Sequence, residues 1–472
     1  HGREVPVHSL QPARLMRITL LAAACLAALA ACGMPTPRGP DTARAAAPAL
    51  AMPPLRTFAS GAVTPPRRRN AEMAGDILDL VFQLESGRAV PRLTRFDGPV
   101  TVRMIGPVPP TASADLARLV GRINREAGIP ITVTGRPDAS VTIEFLSRRA
   151  MDGAVPQAAC FVAPNVSSWA DYRRARSSIR TDWTALNART SAAIFIPADT
   201  APQEIRDCLH EELAQALGPL NDLYRLHDSV FNDDNMHGVL TGFDMLVLRA
   251  IHAPELANGM GAAEVAARLP AVLARINPGG GAGGIAAGSV TPRAFVKAVE
   301  TAIGPSAAPA TRRNAAITAV RIAEDAGWSD TRTGFAKLIY GRLSIASAPD
   351  AALTALFEAG QTYSAQGLSL QAAHVEMQLA AFALSQGDAD GALALTARAL
   401  GPAAEAENAG LMASLMMVRA EALDLQGRAA EAEALRLDSL GWARYGFGSE
   451  AEIRLRMGDI MGLNPARRSG RT

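Results

Sequence analysis

The chain has 472 residues, 49% hydrophobic and 19% charged, with a formal net charge of +2. That length implies two or three domains, and the apolar fraction is ample for packed cores. A charge this near neutral excludes a dedicated nucleic-acid binder, whose phosphate contacts need a clear excess of Lys and Arg. Two local basic runs, Arg67-Arg68-Arg69 and Arg467-Arg468, lie in proline-rich or polar stretches and read as solvated linker and tail.

In chain order, residues 1–15 precede the start at Met16 and read as over-called upstream sequence. Met16-Arg17 give a short positive segment, and Ile18 to Ala31 form an apolar run of fourteen residues. A bilayer span takes roughly 20 apolar residues, so 16–31 reads as a signal peptide. Leu29-Ala30-Ala31-Cys32 matches a lipobox. Small side chains let a peptidase grip an extended backbone, and the Cys32 thiol takes lipid before cleavage makes it the N-terminus. The alternative is a plain secretory signal cut after an Ala. Acyl chains anchor firmly, because each buried methylene adds ~0.8 kcal/mol. The reading is therefore a lipoprotein of the cell envelope, facing the periplasm. Gly33, rather than Asp, after Cys32 points to the outer membrane. Residues 32–71 are rich in Pro and Ala and read as a disordered tether.

Of four cysteines, Cys25 leaves with the signal and Cys32 carries lipid. Cys160 and Cys208 remain, and two thiols in an oxidising compartment most often pair. Such a bridge closes a loop worth about 4 kcal/mol in the chain-entropy account. Two buried free thiols, or a Cys-containing metal site, are the alternatives.

Residues 72–276 read as an α+β domain. Strands are expected at 100–104, 131–133, 141–145 and 192–196, and a helix face at Leu116, Leu119, Val120 and Ile123. Residues 164–190 are polar and ambiguous. Thr200-Ala201-Pro202-Gln203 resembles a capping box for a helix running to Leu217 and stopped by Gly218-Pro219. Residues 277–291 read as a Gly-rich flexible linker crossed by few contacts. Residues 292–463 are almost continuously helical in pattern, and 464–472 form a basic tail. Gly-x-x-x-x-Ala recurs at Gly367, Gly387 and Gly427 between amphipathic stretches. It resembles tetratricopeptide-type hairpins, with spacings of 20 and 40 in place of the 34-residue period; an ordinary helical bundle is the alternative.

The stretch that could carry chemistry is Asp207 to Asp222. Glu212 falls within the apolar stripe of Ile205, Cys208, Leu209, Leu213, Ala216 and Leu217, where a carboxylate is costly unless paired or neutralised. Glu211 and Gln215 lie one turn apart on an adjoining face. The spacing resembles the metzincin motif H-E-x-x-H-x-x-G-x-x-H. Glu211 falls at the first His, Glu212 at the base Glu, Gln215 at the second His, Gly218 at the Gly and Asn221 at the third ligand. The stretch more closely resembles an uncharacterised family of bacterial envelope proteins, with signature E-E-L-x-Q-x-L-G-x-x-N-D. Here those residues are Glu211 to Asp222, followed by Ser229-Val230-Phe231-Asn232-Asp233 and Gly259-Met260. The resemblance covers residues 75–265 and implies a zincin-like fold.

All three imidazoles of that motif are missing. Glu, Gln and Asn supply oxygen ligands, a poor set for Zn²⁺ and one better suited to Ca²⁺ or Mg²⁺. His227, Asp228, Asp233 and His237 lie in the following loop and either complete an unusual site or make Asx turns. Two readings stand. In one, a zincin-like domain without peptidase activity carries a helical domain that binds an envelope protein. In the other, the protein is a metal-dependent hydrolase with Glu212 as general base. No organic cofactor is implied, and a divalent metal belongs to the second reading only.

Overall fold

A computed structural model describes residues 52–58, 65–66, 68–155, 158–281, 283–304 and 306–468. The expected signal peptide and Cys32 lie outside these residues. Among the described residues, no helix is long and apolar enough to cross a membrane.

The first region holds helices α1 (Asn70–Phe82), α2 (Ala112–Arg122), α3 (Arg148–Asp152), α4 (Trp169–Ala175), α5 (Pro202–Leu217), α6 (Gly242–Ile251) and α7 (Ala262–Ile276). They surround strands β1 (Val100–Ile105), β2 (Ile131–Val133), β3 (Val141–Leu146), β4 (Phe161–Pro164) and β5 (Ala192–Pro197). The sheet order is β2-β1-β3-β5-β4. The first four in that order are parallel neighbours, and β4 runs antiparallel on the β5 edge. All six residues of β5 are buried, as an apolar strand covered on both faces requires. Ala192, Ile194 and Ile196 enter the main core. Ala193 and Phe195 enter a smaller cluster with Met151, Val166 and Trp169. All four expected strands form. β4 and α4, at the start of and within the stretch that sequence pattern left ambiguous, complete the sheet edge and its aromatic cover.

The expected capping box at Thr200 does not form. Ala201 is the N-cap of α5 with no side-chain bond, and Thr200 Oγ1 turns back to the Pro197 carbonyl at 3.4 Å. Pro202 starts the helix instead, its fixed φ suiting the first turn.

The second region is all helical: α8 (Arg293–Ile303), α9 (Pro309–Asp325), α10 (Thr331–Ser344), α11 (Pro349–Ala365), α12 (Ser369–Ser385), α13 (Ala389–Glu405), α14 (Ala409–Leu425), α15 (Ala429–Gly446), α16 (Glu450–Met461) and α17 (Pro465–Arg468). Helices α11 to α14 are each 17 residues long. Gly367, Gly387, Glu407 and Gly427 end them in left-handed backbone, with φ of 68°, 79°, 53° and 74°. The irregular glycine spacing is thus a regular turn in which Glu407 replaces one glycine. Glycine enters this conformation at little cost, and Glu407 strains to do so.

Three stretches expected to be solvated are docked. Asn70 Nδ2 donates to the carbonyls of Asn277 and Gly281 at 3.0 and 2.8 Å, and Ala286 N donates to the Ala71 carbonyl at 2.8 Å. A Cβ on Gly75 would lie 2.0 Å from the Ala286 oxygen. Here glycine serves close approach rather than flexibility. Arg68 pairs with Asp76 and Asp228, and Arg467 pairs with Glu421 and Asp424. Those carboxylates are buried or half-buried and need counter-charges, which the basic runs supply. The loop after α5 also places Tyr224 and Met236 in the core of the helical region.

Candidate functional site

Helix α5 packs against β4, β5, α2 and α15. Cys160, just before β4, is disulfide-bonded to Cys208 on α5, 48 residues away in sequence, so the two thiols pair as expected. The helix ends under Arg189, which is buried and donates to the carbonyls of Ala216 and Gly218 at 2.8 and 2.6 Å. Its guanidinium lies over Trp183, 4.8 Å from the ring centre. Burial draws this arginine down to about 9. No pattern in the polar stretch around it marks Arg189 in the sequence. A positive group over the last carbonyls of a helix is stabilising. Gly218 is needed for a second reason: a Cβ there would lie 2.8 Å from Ile251 Cδ1 on α6.

The motif positions divide by task. Asn221 Nδ2 donates to the Asp79 carbonyl at 3.0 Å, and Leu220 N donates to the Leu80 carbonyl at 2.8 Å. Together they pin the reversal after α5 onto α1. Gln215 Nε2 donates to Asp222 Oδ2 at 3.3 Å. Glu212 is only 4% exposed, and among the described residues its Oε2 has no hydrogen-bond partner, nor has Asp222 Oδ1. His210 is buried, and its Nδ1 accepts from Leu240 N at 3.0 Å.

Electrostatically, the site is a group of carboxyls with few cations among them. Burial, and then the charges of Asp233, Glu85 and Asp207, push Glu211 up to about 8. Burial, then Glu211 and Glu85, holds Glu212 well above the usual carboxylate range, with only the Val162 N–H of β4 opposing. Asp222 is raised well above its usual range by burial, then Asp233, Glu211 and Glu85. Burial, then Glu85 and Glu300, lifts Asp233 to about 7 against Arg293. The structure therefore brings Glu211, Glu212, Gln215, Asp222 and Asp233 into one neighbourhood and adds Glu85, from the turn after α1, which carries no motif signal. Among the described residues, no three His, Cys, Asp or Glu side chains converge closely enough to hold a metal ion.

The loop histidines are engaged elsewhere. His237 Nε2 bonds the His227 carbonyl at 3.2 Å, which also accepts from Gln371 of α12 at 2.5 Å. Burial lowers His237 to about 4. Burial pushes the Asp228 carboxyl up, but Arg68 outweighs it and holds the group below its usual range. Asn232 Oδ1 accepts from Asp234 N, and Asp234 Oδ1 from Met236 N, at 3.1 and 3.0 Å. These are Asx turns, which let a buried loop satisfy its own backbone.

Residues 70–271, from α1 into α7, match the model of a family described as a protein of unknown function (DUF2927). No curated protein and no solved structure matches the chain.

Proposed function

We propose that this chain is an envelope lipoprotein, anchored through Cys32 to a membrane, with the outer membrane favoured. Its α+β region is a zincin-like scaffold that does not cleave peptides, and its helical region binds an envelope protein. One observation carries the scaffold reading. Two of the three positions that resemble metal ligands are occupied in structural bonds, Gln215 to Asp222 and Asn221 to the Asp79 carbonyl. Glu212 is also ill-suited to a general base. Burial and neighbouring carboxyls raise its carboxyl well above the usual range and so favour the protonated form, whereas a base must be free to accept a proton. A bound divalent cation would reverse that, because its charge would draw the proton off.

The test compares the intact protein and Glu212→Gln. Both are assayed against a mixed peptide library with zinc, calcium or magnesium added. The expected result is no cleavage by either protein and no stoichiometric metal. Cleavage that is lost in a folded Glu212→Gln protein would establish the hydrolase instead. The anchor is tested separately, by labelling cells with a palmitate analogue. Cys32→Ser should abolish the label, and a labelled mutant would overturn the assignment.

A further inference from the structure

Residues 52–58, Met52-Pro53-Pro54-Leu55-Arg56-Thr57-Phe58, lie in the stretch read as tether, yet they run along α15. Arg56 N donates to the Gly441 carbonyl at 3.0 Å, and Arg444 donates to the Pro53 carbonyl at 2.6 Å. Arg56 pairs with Asp438 and also lies over the Trp442 ring, 5.8 Å from its centre. Phe58 packs on the same Trp442 with ring centres 4.6 Å apart. Met52 reaches the apolar core of the helical region.

Gly441 is the informative residue. It sits inside a helix, where glycine costs about 1 kcal/mol relative to alanine. A Cβ there would lie 2.9 Å from Arg56 Cγ and 3.3 Å from the Pro54 oxygen. The helix gives up stability at the point where the segment crosses it. Two consecutive prolines stiffen the segment and hold it extended, so little entropy is lost on docking.

We propose that this face of α15 is a docking site for an extended protein segment of the form Pro-Pro-x-Arg-x-Phe, which the chain's own residues 52–58 occupy until a partner segment displaces them. The proposal rests on reading the helical region as a protein-binding module and names its site and ligand. Displacement is within reach. The Arg56–Asp438 pair is half exposed, and such pairs contribute about 0–1 kcal/mol. The cis segment owes much of its occupancy to its tether, which supplies an effective concentration of about 1 mM.

The experiment measures fluorescence anisotropy of a labelled peptide with the sequence of residues 52–58, using the full chain. An Arg56→Glu/Phe58→Ala protein, with its own segment released, should bind the peptide at least about tenfold more tightly than the unaltered protein, because the competing tethered segment is gone. Adding Gly441→Ala should abolish binding while leaving the melting temperature the same or higher, since alanine favours the helix. Trp442→Ala should also abolish it, and this serves if Gly441→Ala disturbs the fold. No binding to the released protein up to about 1 mM peptide, or binding that survives both α15 substitutions, overturns the docking site. Neither result bears on peptide cleavage or lipid attachment, which the earlier tests address on their own.

Discussion

The Arg189 guanidinium donates to the Gly218 carbonyl at 2.6 Å, closing the end of α5 with a cation that has no carboxylate partner among the described residues. It bonds Ala216 and Gln215 as well. Arg189→Leu would leave the Ala216 and Gly218 carbonyls without this donor, at roughly 1–3 kcal/mol each; the Gln215 carbonyl keeps the Gly218 N–H. Urea unfolding should show a loss above about 2 kcal/mol. Arg189→Lys should recover only part of it, since one ammonium cannot reproduce the planar fork. A leucine variant as stable as the unaltered protein would show that this cap is not what fixes the motif helix.

How much of this was legible in the sequence differs by element. β5 announces itself because the five consecutive apolar residues Ala192 to Ile196, closed by Pro197, are too short for a buried helix. β4 does not, because Phe161 and Val162 are only partly buried and the run is four residues long. Its identity as a strand depends on pairing with β5, a relation that no local pattern carries. The disulfide follows from cysteine arithmetic, and the crowding of Glu211 and Glu212 from their place on one helix. Glu85 and Arg189 could not be found that way. They join the site across about 30 to 130 residues of chain, and each lies in a polar stretch where periodicity is silent. The glycines of 277–291 misled in the opposite direction, since composition cannot separate a glycine needed for contact from one left free.

The carboxyl group around α5 sets a pH dependence. Glu211 is raised from 4.5 to about 8 and Asp233 from 3.8 to about 7. Between those values the folded protein holds protons that the unfolded chain releases. Stability from these groups is therefore gained as pH falls through about 8 and 7, and lost as pH rises. His237, His252 and His374 are lowered to about 4, so the unfolded chain takes up protons first below about 6.5 and stability falls there. The melting temperature should fall between about pH 6.5 and 8.5, where the carboxyls ionise and the histidines are neutral in both states. Glu211→Gln should raise it at pH 8.5 and flatten the alkaline limb. A flat profile between pH 6.5 and 8.5 would contradict the arrangement.

The Cys160–Cys208 bond ties the sheet edge to the motif helix. Removing both thiols as Ser should cost about 4 kcal/mol in the chain-entropy account, read by urea unfolding with and without reductant. The unaltered protein should lose a similar amount when reduced. Two thiols that alkylate freely in the native, unreduced protein would defeat this expectation.

The two regions should melt as one body. Tyr224 packs edge-on to Phe295, with ring centres 5.8 Å apart, and 6.2 Å from Phe335. On the other side of α5, Arg206 donates to the Glu407 carbonyl at 2.8 Å, Gln203 bonds Asn408 and Gly410, and Tyr445 bonds Asp115 at 3.1 Å. These contacts clamp the motif helix and its following loop between the regions. Separating the regions would expose Tyr224 and Met236 and leave buried polar groups without partners. Calorimetry of the intact protein should give one transition. Tyr224→Ala should lower that transition by roughly 3 kcal/mol, as large aromatic truncations do, without splitting it. Mild proteolysis should spare the Gly-rich segment, whose backbone is held by Asn70 and Ala71. Two resolved transitions, with the first cut falling inside 277–291 and both fragments folded, would mean that the regions are independent and that the interface contributes little.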